Sequence, residues 1–292
     1  MQNFWVIGDI HGEIALLDRL LEQIGHYGAE RLVFVGDYID RGPHSREVLQ
    51  RLMSLGDNAT CLMGNHELMM LNTLEDNGIG GSAMELWYNN GAESTLRSFG
   101  LSSFYELSGG IDDSYLSFLH GLALLEELEL EGGKRFLVSH AGISPSLPLQ
   151  EQLAVRSYAG MNRMLLEHGL RPMDSPLWLR EVFFNADPAL WNPHMVIHGH
   201  TPVAKLERYA RQHGLNDFFF MDQDLAIRRN LQTGTFASLD VDSGSVLSGR
   251  LSGVGFYAED KEGGSGGVRM KALTVSREEI FPRDLGYLPS VT

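Results

Sequence analysis

The sequence predicts an α/β protein with a largely parallel sheet core and a carboxyl-terminal part that is richer in antiparallel strands. Three observations predict this class. Short apolar runs recur and end in glycine and polar residues, a pattern typical of buried strands. Segments with helically spaced apolar residues lie between these runs. After residue 233 the stretch "TFASLDVDSGSVLSGRLSG" alternates in polarity and contains turn residues.

Each predicted core strand leads directly into a polar cluster. The five apolar runs are "FWVI" (4–7), "LVFV" (32–35), "TCLM" (60–63), "RFLV" (135–138) and "MVI" (195–197). They are followed by "GDIHG", "GDYIDRG", "GNHE", "SHAG" and "HGHT", respectively. Because the carboxyl ends of parallel strands form the ligand site in such sheets, we expect the five clusters to meet in space.

Two helices are predicted between the first three strands. Their apolar faces are formed by Ile14, Leu17, Leu20, Leu21 and Ile24, and by Val48, Leu49, Leu52 and Met53. We expect one domain over residues 1–292, with covering segments at about 72–130, 145–178 and 205–232. The "GGSGG" stretch at 263–267 is interpreted as a hairpin turn rather than a domain linker.

Composition restricts the classes of function. A formal net charge of −15 over 292 residues argues against general nucleic-acid binding, which needs a basic face. No apolar run is long enough to span a membrane, and no basic region precedes an apolar secretion signal, so a cytoplasmic protein is expected. Cys61, the single cysteine, is interpreted as a small core residue rather than a nucleophile.

The polar clusters supply a set of metal-ligand residue types without a thiolate. The set is Asp9, His11, Asp37, Asn65, His140 and His200. Carboxylates, imidazoles and an amide oxygen suit Mn²⁺, Fe²⁺ or Zn²⁺. Six ligands are too many for one tetrahedral site, but they fit two ions about 3.5–4 Å apart that share one carboxylate.

Simpler interpretations exist for several of these residues taken alone. Asp9 could cap a helix, and Asn65 could be a turn residue that tolerates a left-handed backbone. His198 and His200 are two positions apart, so both could face the metals from one strand. Glu67 is interpreted as a residue that orients its neighbours or starts a helix, rather than as a ligand.

Together and in this order, "GDIHG", "GDYIDRG", "GNHE", "HAG" and "GHTP" resemble the motifs of the phosphoprotein phosphatase family of calcineurin-like metallophosphoesterases. They cover roughly residues 6–202, and "WYNNGAESTLRSFG" resembles a segment of its bacterial and phage-type members. The resemblance implies a four-layer sandwich of two mixed β-sheets flanked by helices. It also implies a metal-dependent phosphoester hydrolase, in the first place a serine/threonine protein phosphatase.

The resemblance assigns a role to each matching residue. Asp9 and His11 would hold the first ion, Asp37 would bridge, and Asn65, His140 and His200 would hold the second. His66 would protonate the leaving oxygen, and Asp40 would orient it. Arg41 and Arg180 would bind phosphate oxygens. The implied reaction is a direct in-line attack on phosphorus by a hydroxide that bridges the two ions, with Mn²⁺ as the first choice and Fe or Zn as alternatives.

The substrate is predicted to be a phosphoprotein or a small phosphoester, with no nucleic-acid or membrane partner and an oligomeric state left open. A diadenosine tetraphosphatase, from a sister branch of the family, is the alternative. That branch usually lacks an acid at the position of Asp40 and has "GNHD", so Asp40 and Glu67 favour the protein phosphatase. A non-catalytic scaffold would be expected to lose a ligand or His66, and neither is lost.

Overall fold

The strands and helices are seen in a computed structural model that describes residues 1–75, 82–222, 224–260 and 266–289. The strands are β1 (Asn3–Ile7), β2 (Leu32–Phe34), β3 (Ala59–Cys61), β4 (Leu125–Glu129), β5 (Arg135–Ser139), β6 (Met195–His198), β7 (Phe219–Asp222), β8 (Leu225–Arg229), β9 (Phe236–Asp240), β10 (Arg250–Asp260), β11 (Gly266–Ser276) and β12 (Ile280–Tyr287). The helices are α1 (Ile14–Gly25), α2 (Ser45–Met53), α3 (Asn65–Glu75), α4 (Ser82–Tyr88), α5 (Ala92–Ser98), α6 (Leu107–Gly110), α7 (Asp113–His120), α8 (Leu149–Ala154), α9 (Tyr158–Glu167), α10 (Glu181–Asn185), α11 (Val203–Gln212) and α12 (Ser245–Ser248). Short 3₁₀ turns lie at Gly56–Asn58, Phe104–Glu106, Pro172–Asp174 and Pro188–Trp191.

The strands form two mixed sheets. The order in the first sheet is β12-β11-β10-β1-β2-β3, and β1, β2 and β3 are parallel to one another. The order in the second sheet is β4-β5-β6-β9-β8-β7, and β5, β6 and β9 are parallel. The other strands of both sheets pair antiparallel. Each sheet therefore contains the predicted set of three parallel strands, extended by antiparallel strands from other parts of the chain.

The two-residue period of β1 places one row of side chains between the sheets and the other row toward the helices. Phe4 belongs to the core between the sheets, where its ring lies 5.1 Å from that of Phe136 and 5.0 Å from that of Phe256. Trp5 and Ile7 belong to the core that includes the helices. A strand buried on both faces needs the continuous apolar run that the sequence shows.

Helices cover the outer faces of both sheets. The apolar face of α1 packs against β10 and β11 of the first sheet. The strongly amphipathic α11 packs Val203, Leu206 and Ala210 toward β7 and β8 of the second sheet. The order helix, sheet, sheet, helix confirms the predicted four-layer sandwich.

The covering segments contain more sheet than the sequence suggested. The segment 72–130 contains α4 to α7 but ends in β4, an edge strand of the second sheet. The segment 205–232 consists mainly of α11, β7 and β8. The physical reason is that Phe219 and the "LAI" of β8 bury their side chains, which strand pairing with β9 allows. Residues 76–81 and 223 of these segments lie outside the described ones.

Two smaller expectations concern the "GGSGG" stretch and membrane-spanning helices. Strands β10 and β11 pair antiparallel, whereas residues 261–265, which include most of the "GGSGG" stretch, lie outside the described part of the chain. Among the described residues, no helix is both long enough and apolar enough to cross a membrane.

Candidate metal centre

The loops after the parallel strands have an unusual backbone. The non-glycine residues with positive φ, among those the structure describes, are His11 (47°), Asp37 (54°), Asp40 (70°), Arg41 (67°) and His200 (70°). All five belong to the predicted site. Left-handed conformations are uncommon outside glycine and persist where the surroundings fix them. The strained backbone therefore coincides with the predicted ligands and their immediate neighbours.

Glu67 is the residue that fixes the loop after β2. Its buried carboxylate accepts hydrogen bonds from the backbone N–H groups of Asp37 (2.9 Å), Tyr38 (2.8 Å), Ile39 (3.2 Å) and Gly64 (2.9 Å). Burial raises the pKa of Glu67 to about 7. Glu67 thus orients the loop that carries Asp37, as its position in "GNHE" suggested.

Two glycines allow the carboxylates to approach the backbone. A Cβ at Gly64 would lie 2.2 Å from Oδ1 of Asp37, and one at Gly199 would lie 2.1 Å from Oδ1 of Asp9. Carbon and oxygen atoms cannot come this close without bonding. Any side chain at either position would displace one of the two predicted ligands.

One group of candidate ligands gathers Asp37, His140 and His200, whose ligand atoms all lie within 4.8 Å of one another. Asn65 joins this group, because its Oδ1 lies 3.0 Å from Nε2 of His140 and 2.9 Å from Nδ1 of His200. Oδ1 of Asp37 lies 3.4 Å from Nε2 of His140. The three residues predicted to hold the second ion with Asp37 are therefore together.

The hydrogen bonds of His140 show which of its nitrogens is available to a metal. Nδ1 lies 2.9 Å from the carbonyl oxygen of Val35, which can only accept, so Nδ1 carries the proton. Burial lowers the pKa of His140, so the ring is neutral and Nε2 presents a lone pair. That lone pair faces Oδ1 of Asn65, a second acceptor. A cation between them would satisfy both atoms.

A second group gathers His11, Asp37 and His66 on the other side of the Asp37 carboxylate. Oδ2 of Asp37 lies 3.6 Å from Nε2 of His11 and 3.8 Å from Nε2 of His66. Nδ1 of His11 donates to the carbonyl of Ile39 at 2.8 Å, which directs its Nε2 toward Asp37. Burial and the neighbouring His66 lower the pKa of His11, so this ring is also neutral.

Asp9 lies beside these groups but belongs to neither of them. Its carboxylate accepts the backbone N–H of His200 at 3.0 Å. Burial, and then the charges of Asp242 and Asp37, raise the pKa of Asp9. Carboxylates crowded in this way are costly to ionise in a buried site. A divalent cation would offset that cost.

His66 has the opposite electrostatics to the other site histidines. Its Nδ1 donates to Oδ2 of Asp40 at 2.7 Å. Burial alone would lower its pKa, but the charge of Asp37 and the hydrogen bond to Asp40 outweigh burial and raise it. Burial lowers the pKa of His200, as it does for His140 and His11. Three rings are therefore suited to metal ligation and one to proton donation.

Both predicted arginines lie at the mouth of the site. Nη1 of Arg41 donates to Nε2 of His11 at 2.5 Å, and Nη2 donates to Nε2 of His66 at 2.9 Å. The site opens into a cavity of about 220 Å³. Its walls are formed by Asp37, Arg41, Asn65, Asn90, Met173, Trp178, Arg180 and His200.

His198 does not join the candidate ligands of the described residues. It is buried, its ring packs edge-on against Phe183 with centroids 5.1 Å apart, and its Nδ1 lies 3.2 Å from the carbonyl of Gly199. Burial lowers its pKa to about 4. His200 reaches the metal group because it lies beyond the end of β6 with a left-handed backbone, so the alternation of the strand no longer governs it.

Several residues at the site were not singled out by sequence reasoning. Asn90, Met173 and Trp178 line the cavity, and Trp87 and Thr95 donate hydrogen bonds to Asp40. They come from helices and loops between the motifs, where tertiary packing rather than local pattern sets their position. The resemblance of "WYNNGAESTLRSFG" indicated the segment that carries Trp87, Asn90 and Thr95, but it assigned no role to these residues.

The residues present fit divalent cations. Nδ1 of His200 lies 2.9 Å from Oδ1 of Asn65 and 3.2 Å from Nε2 of His140, so two ring nitrogens and an amide oxygen converge on one point. The rings of His11 and His140 direct lone pairs toward Asp37, and neutral nitrogen and oxygen donors surround a carboxylate from two sides. Such a mixed N/O donor set is typical of borderline divalent metals.

Comparison with known proteins agrees with this geometry. Residues 2–226 match the family described as calcineurin-like phosphoesterase. The chain belongs to this family. It is therefore a metallophosphoesterase, as the five motifs predicted, and the family implies divalent metals and hydrolase activity.

Curated relatives carry two kinds of name. The chain is 30% identical over 193 residues to a symmetrical bis(5'-nucleosyl)-tetraphosphatase of Acidovorax ebreus, which covers 65% of this chain and 59% of the relative. It is 48% identical over 68 residues to a protein of the same name from Marinomonas, covering 23% of this chain and 25% of that one. A Caenorhabditis elegans protein, named provisionally as a serine/threonine-protein phosphatase, is 33% identical over 146 residues, covering 49% and 33%. The chain thus spans about three-fifths of the length of the Acidovorax relative.

A solved metallophosphoesterase structure from Sphaerobacter thermophilus superposes with a TM-score of 0.42 at 14% identity, covering 98% of this chain and 88% of that chain.

Proposed function

We propose that the chain hydrolyses dinucleoside tetraphosphates with the help of two divalent ions. The observation that carries the hydrolase part is that two groups of candidate ligands meet on Asp37 beside a cavity that Arg41 and Arg180 line. The names of the bacterial relatives support the nucleotide part. The half-buried Trp178 in the cavity wall adds support, since an indole can stack on a nucleobase.

The proposed ligands are those that the sequence indicated. One ion would be held by Asp9 and His11, the other by Asn65, His140 and His200, with Asp37 between them. Ions bound there would lower the pKa of coordinated water and offset the negative charge of the substrate. We propose Mn²⁺ for both positions, because carboxylate and amide oxygens accompany the imidazoles.

The arginines would bind the phosphoryl oxygens. The guanidinium of Arg41 now donates to the lone pairs of His11 and His66. With His11 holding a metal, the guanidinium of Arg41 would instead turn into the cavity and bind phosphoryl oxygens. Once Arg41 has turned away, Nε2 of His66 can carry the proton that it donates to the leaving oxygen, with Asp40 holding the ring from behind.

A second candidate function is the hydrolysis of phosphoserine or phosphothreonine in proteins. The observation that favours it is the intact Asp40–His66 pair. An alkoxide is a much stronger base than a departing phosphate, whose second pKa is about 6, so an alcohol depends more on a proton donor. The nucleoside phosphate released from a dinucleoside tetraphosphate would depart with less help from His66.

The number of domains and the cellular location are also proposed here. We propose that residues 1–292 form one domain, since both sheets share a core that draws on β1 and on β10 and β11 from the end of the chain. A cytoplasmic location is proposed on the single cysteine, because disulfides accumulate in secreted proteins.

One preparation, stripped with a chelator and reloaded with Mn²⁺, tests the two functions side by side. Diadenosine tetraphosphate, a phosphoserine peptide and p-nitrophenyl phosphate are compared by kcat/KM. The proposal predicts Mn²⁺-dependent turnover of all three substrates that is clearly highest for the tetraphosphate. A preference for the peptide would replace the first function by the second, and no Mn²⁺-dependent turnover would contradict both.

A further inference from the structure

We propose that Trp87 and Thr95 are positioning residues for proton donation, which hold the carboxylate of Asp40 and through it the ring of His66. This inference rests on the proposed function, in which His66 protonates the leaving oxygen. It adds two residues from the helices α4 and α5, outside the five motifs, to the machinery of the reaction.

The contacts of the Asp40 carboxylate carry the inference. Asp40 is completely buried. Its Oδ2 accepts Nε1–H of Trp87 at 2.7 Å as well as Nδ1–H of His66 at 2.7 Å. Its Oδ1 accepts the hydroxyl of Thr95 at 2.6 Å. Two side chains from the helical segment therefore determine where the carboxylate lies when it bonds His66.

The backbone N–H of Asp40 is also held, by side chains of α5 and α2. Its N–H donates to Oγ1 of Thr95 at 2.9 Å and to Oγ of Ser45 at 3.1 Å. The hydroxyl oxygens of Thr95 and Ser45 lie 3.0 Å apart, and both residues are buried. Because Asp40 has a left-handed backbone with φ of 70°, these bonds also stabilise an otherwise unfavourable conformation.

The turn between α4 and α5 packs on the next residue, Arg41. The backbone N–H of Arg41 donates to the carbonyl of Gly91 at 3.4 Å, and a Cβ at Gly91 would lie 3.1 Å from Cγ of Arg41. Asn90, from the same turn, lines the cavity. The segment that faces the substrate is thus connected directly to the pair that donates the proton.

The substitutions Thr95→Val and Trp87→Phe remove one donor each and keep most of the side-chain shape. A proton donor matters most for a basic leaving group, so each variant is assayed on phenyl phosphate, whose phenol has a pKa of about 10, and on p-nitrophenyl phosphate, whose leaving group is far less basic. We expect kcat on phenyl phosphate to fall roughly tenfold or more, and kcat on p-nitrophenyl phosphate to change less than about threefold.

Matched variants separate positioning from loss of stability. Thr95→Ser keeps the hydroxyl and should restore turnover of phenyl phosphate. Thr73→Val and Trp191→Phe remove a buried hydroxyl and a buried indole N–H that bond carbonyl oxygens away from Asp40, so they should leave the ratio of the two substrates unchanged. Metal content and melting temperature are measured for every variant, and the positioning variants should retain the metal content of the wild type.

The outcomes distinguish this inference from the proposed function. Absence of metal-dependent hydrolysis in the wild type would contradict the proposed function itself. In one outcome, kcat of His66→Asn falls selectively on phenyl phosphate, but kcat of Thr95→Val and Trp87→Phe falls equally on both substrates or on neither. The proposed function then stands and the positioning role is wrong. A selective fall of kcat on phenyl phosphate in all three variants supports the positioning role of Trp87 and Thr95.

Discussion

The loops at the strand ends and the helical segments that border the cavity are built differently. The loops are buried, have strained backbones and are fixed by hydrogen bonds such as those of Glu67. The bordering segments expose large apolar side chains, with Tyr88 50% and Met173 52% exposed. On the proposed function, the difference teaches that the ligands and the proton donor would lie in the buried loops, whereas contacts with the rest of the substrate would fall to the more exposed segments.

The largest effect is expected where the two ligand groups meet in the loops. Asp37→Ala removes the carboxylate that both groups share, so activity should fall to background, below the loss expected for any single proton donor. Metal analysis should show fewer than two ions per chain. Asp37→Asn keeps the shape without the charge and should behave similarly, while Asp217→Ala at an exposed position should have no effect. Full metal content in Asp37→Ala would contradict the shared-ligand arrangement.

The next effect concerns a loop residue that is not a ligand in our assignment. His66→Asn should lower kcat roughly 10²–10⁴-fold on a substrate with a basic leaving group, the usual range for loss of a general acid. Metal content should be unchanged, as measured by elemental analysis of the dialysed variant. Loss of an ion from His66→Asn would instead make His66 a ligand, as its place in the group with His11 and Asp37 allows.

A smaller and more selective effect is expected in the bordering segments. Trp178→Ala removes the aromatic wall of the cavity, so KM for diadenosine tetraphosphate should rise roughly tenfold, because stacking of a base on an aromatic residue contributes about 1–3 kcal/mol. KM for p-nitrophenyl phosphate should change little, and Trp178→Phe should restore much of the affinity. Equal losses on both substrates would show that Trp178 supports the loops rather than the nucleotide.

The sequence predicts the loops better than the bordering segments, because local pattern sets the loops and tertiary packing sets the segments. The strand ends were predictable because apolar runs and glycine fix where each loop begins, and the side chain of Asp37 or His140 follows directly. The choice of His200 over His198 as a ligand came from the resemblance. The structure gives the physical reason, because β6 ends at His198 and His200 lies beyond it with a left-handed backbone. The contacts of Trp87, Thr95 and Trp178 depend on how helices and turns from separate parts of the chain pack, which no local pattern encodes. For the same reason β7 and β8 were interpreted as a cover rather than as sheet.

The smallest effect is expected outside both regions, at Cys61 in β3. Burial raises the pKa of its thiol to about 12, so only a very small fraction is thiolate at pH 8. Alkylation of the folded protein by iodoacetamide should be slow, should accelerate about tenfold per pH unit without levelling off below pH 11, and should leave activity unchanged. Rapid labelling at pH 8 with loss of activity would contradict the assignment of Cys61 to the core.

The central claim is that two divalent ions share Asp37, and anomalous diffraction from crystals loaded with Mn²⁺ tests it most directly. The account predicts two manganese peaks, one on each side of the Asp37 carboxylate, with His11 beside one and His140 and His200 beside the other. A single peak, or peaks away from Asp37, in crystals of a preparation that is active with Mn²⁺ would contradict it.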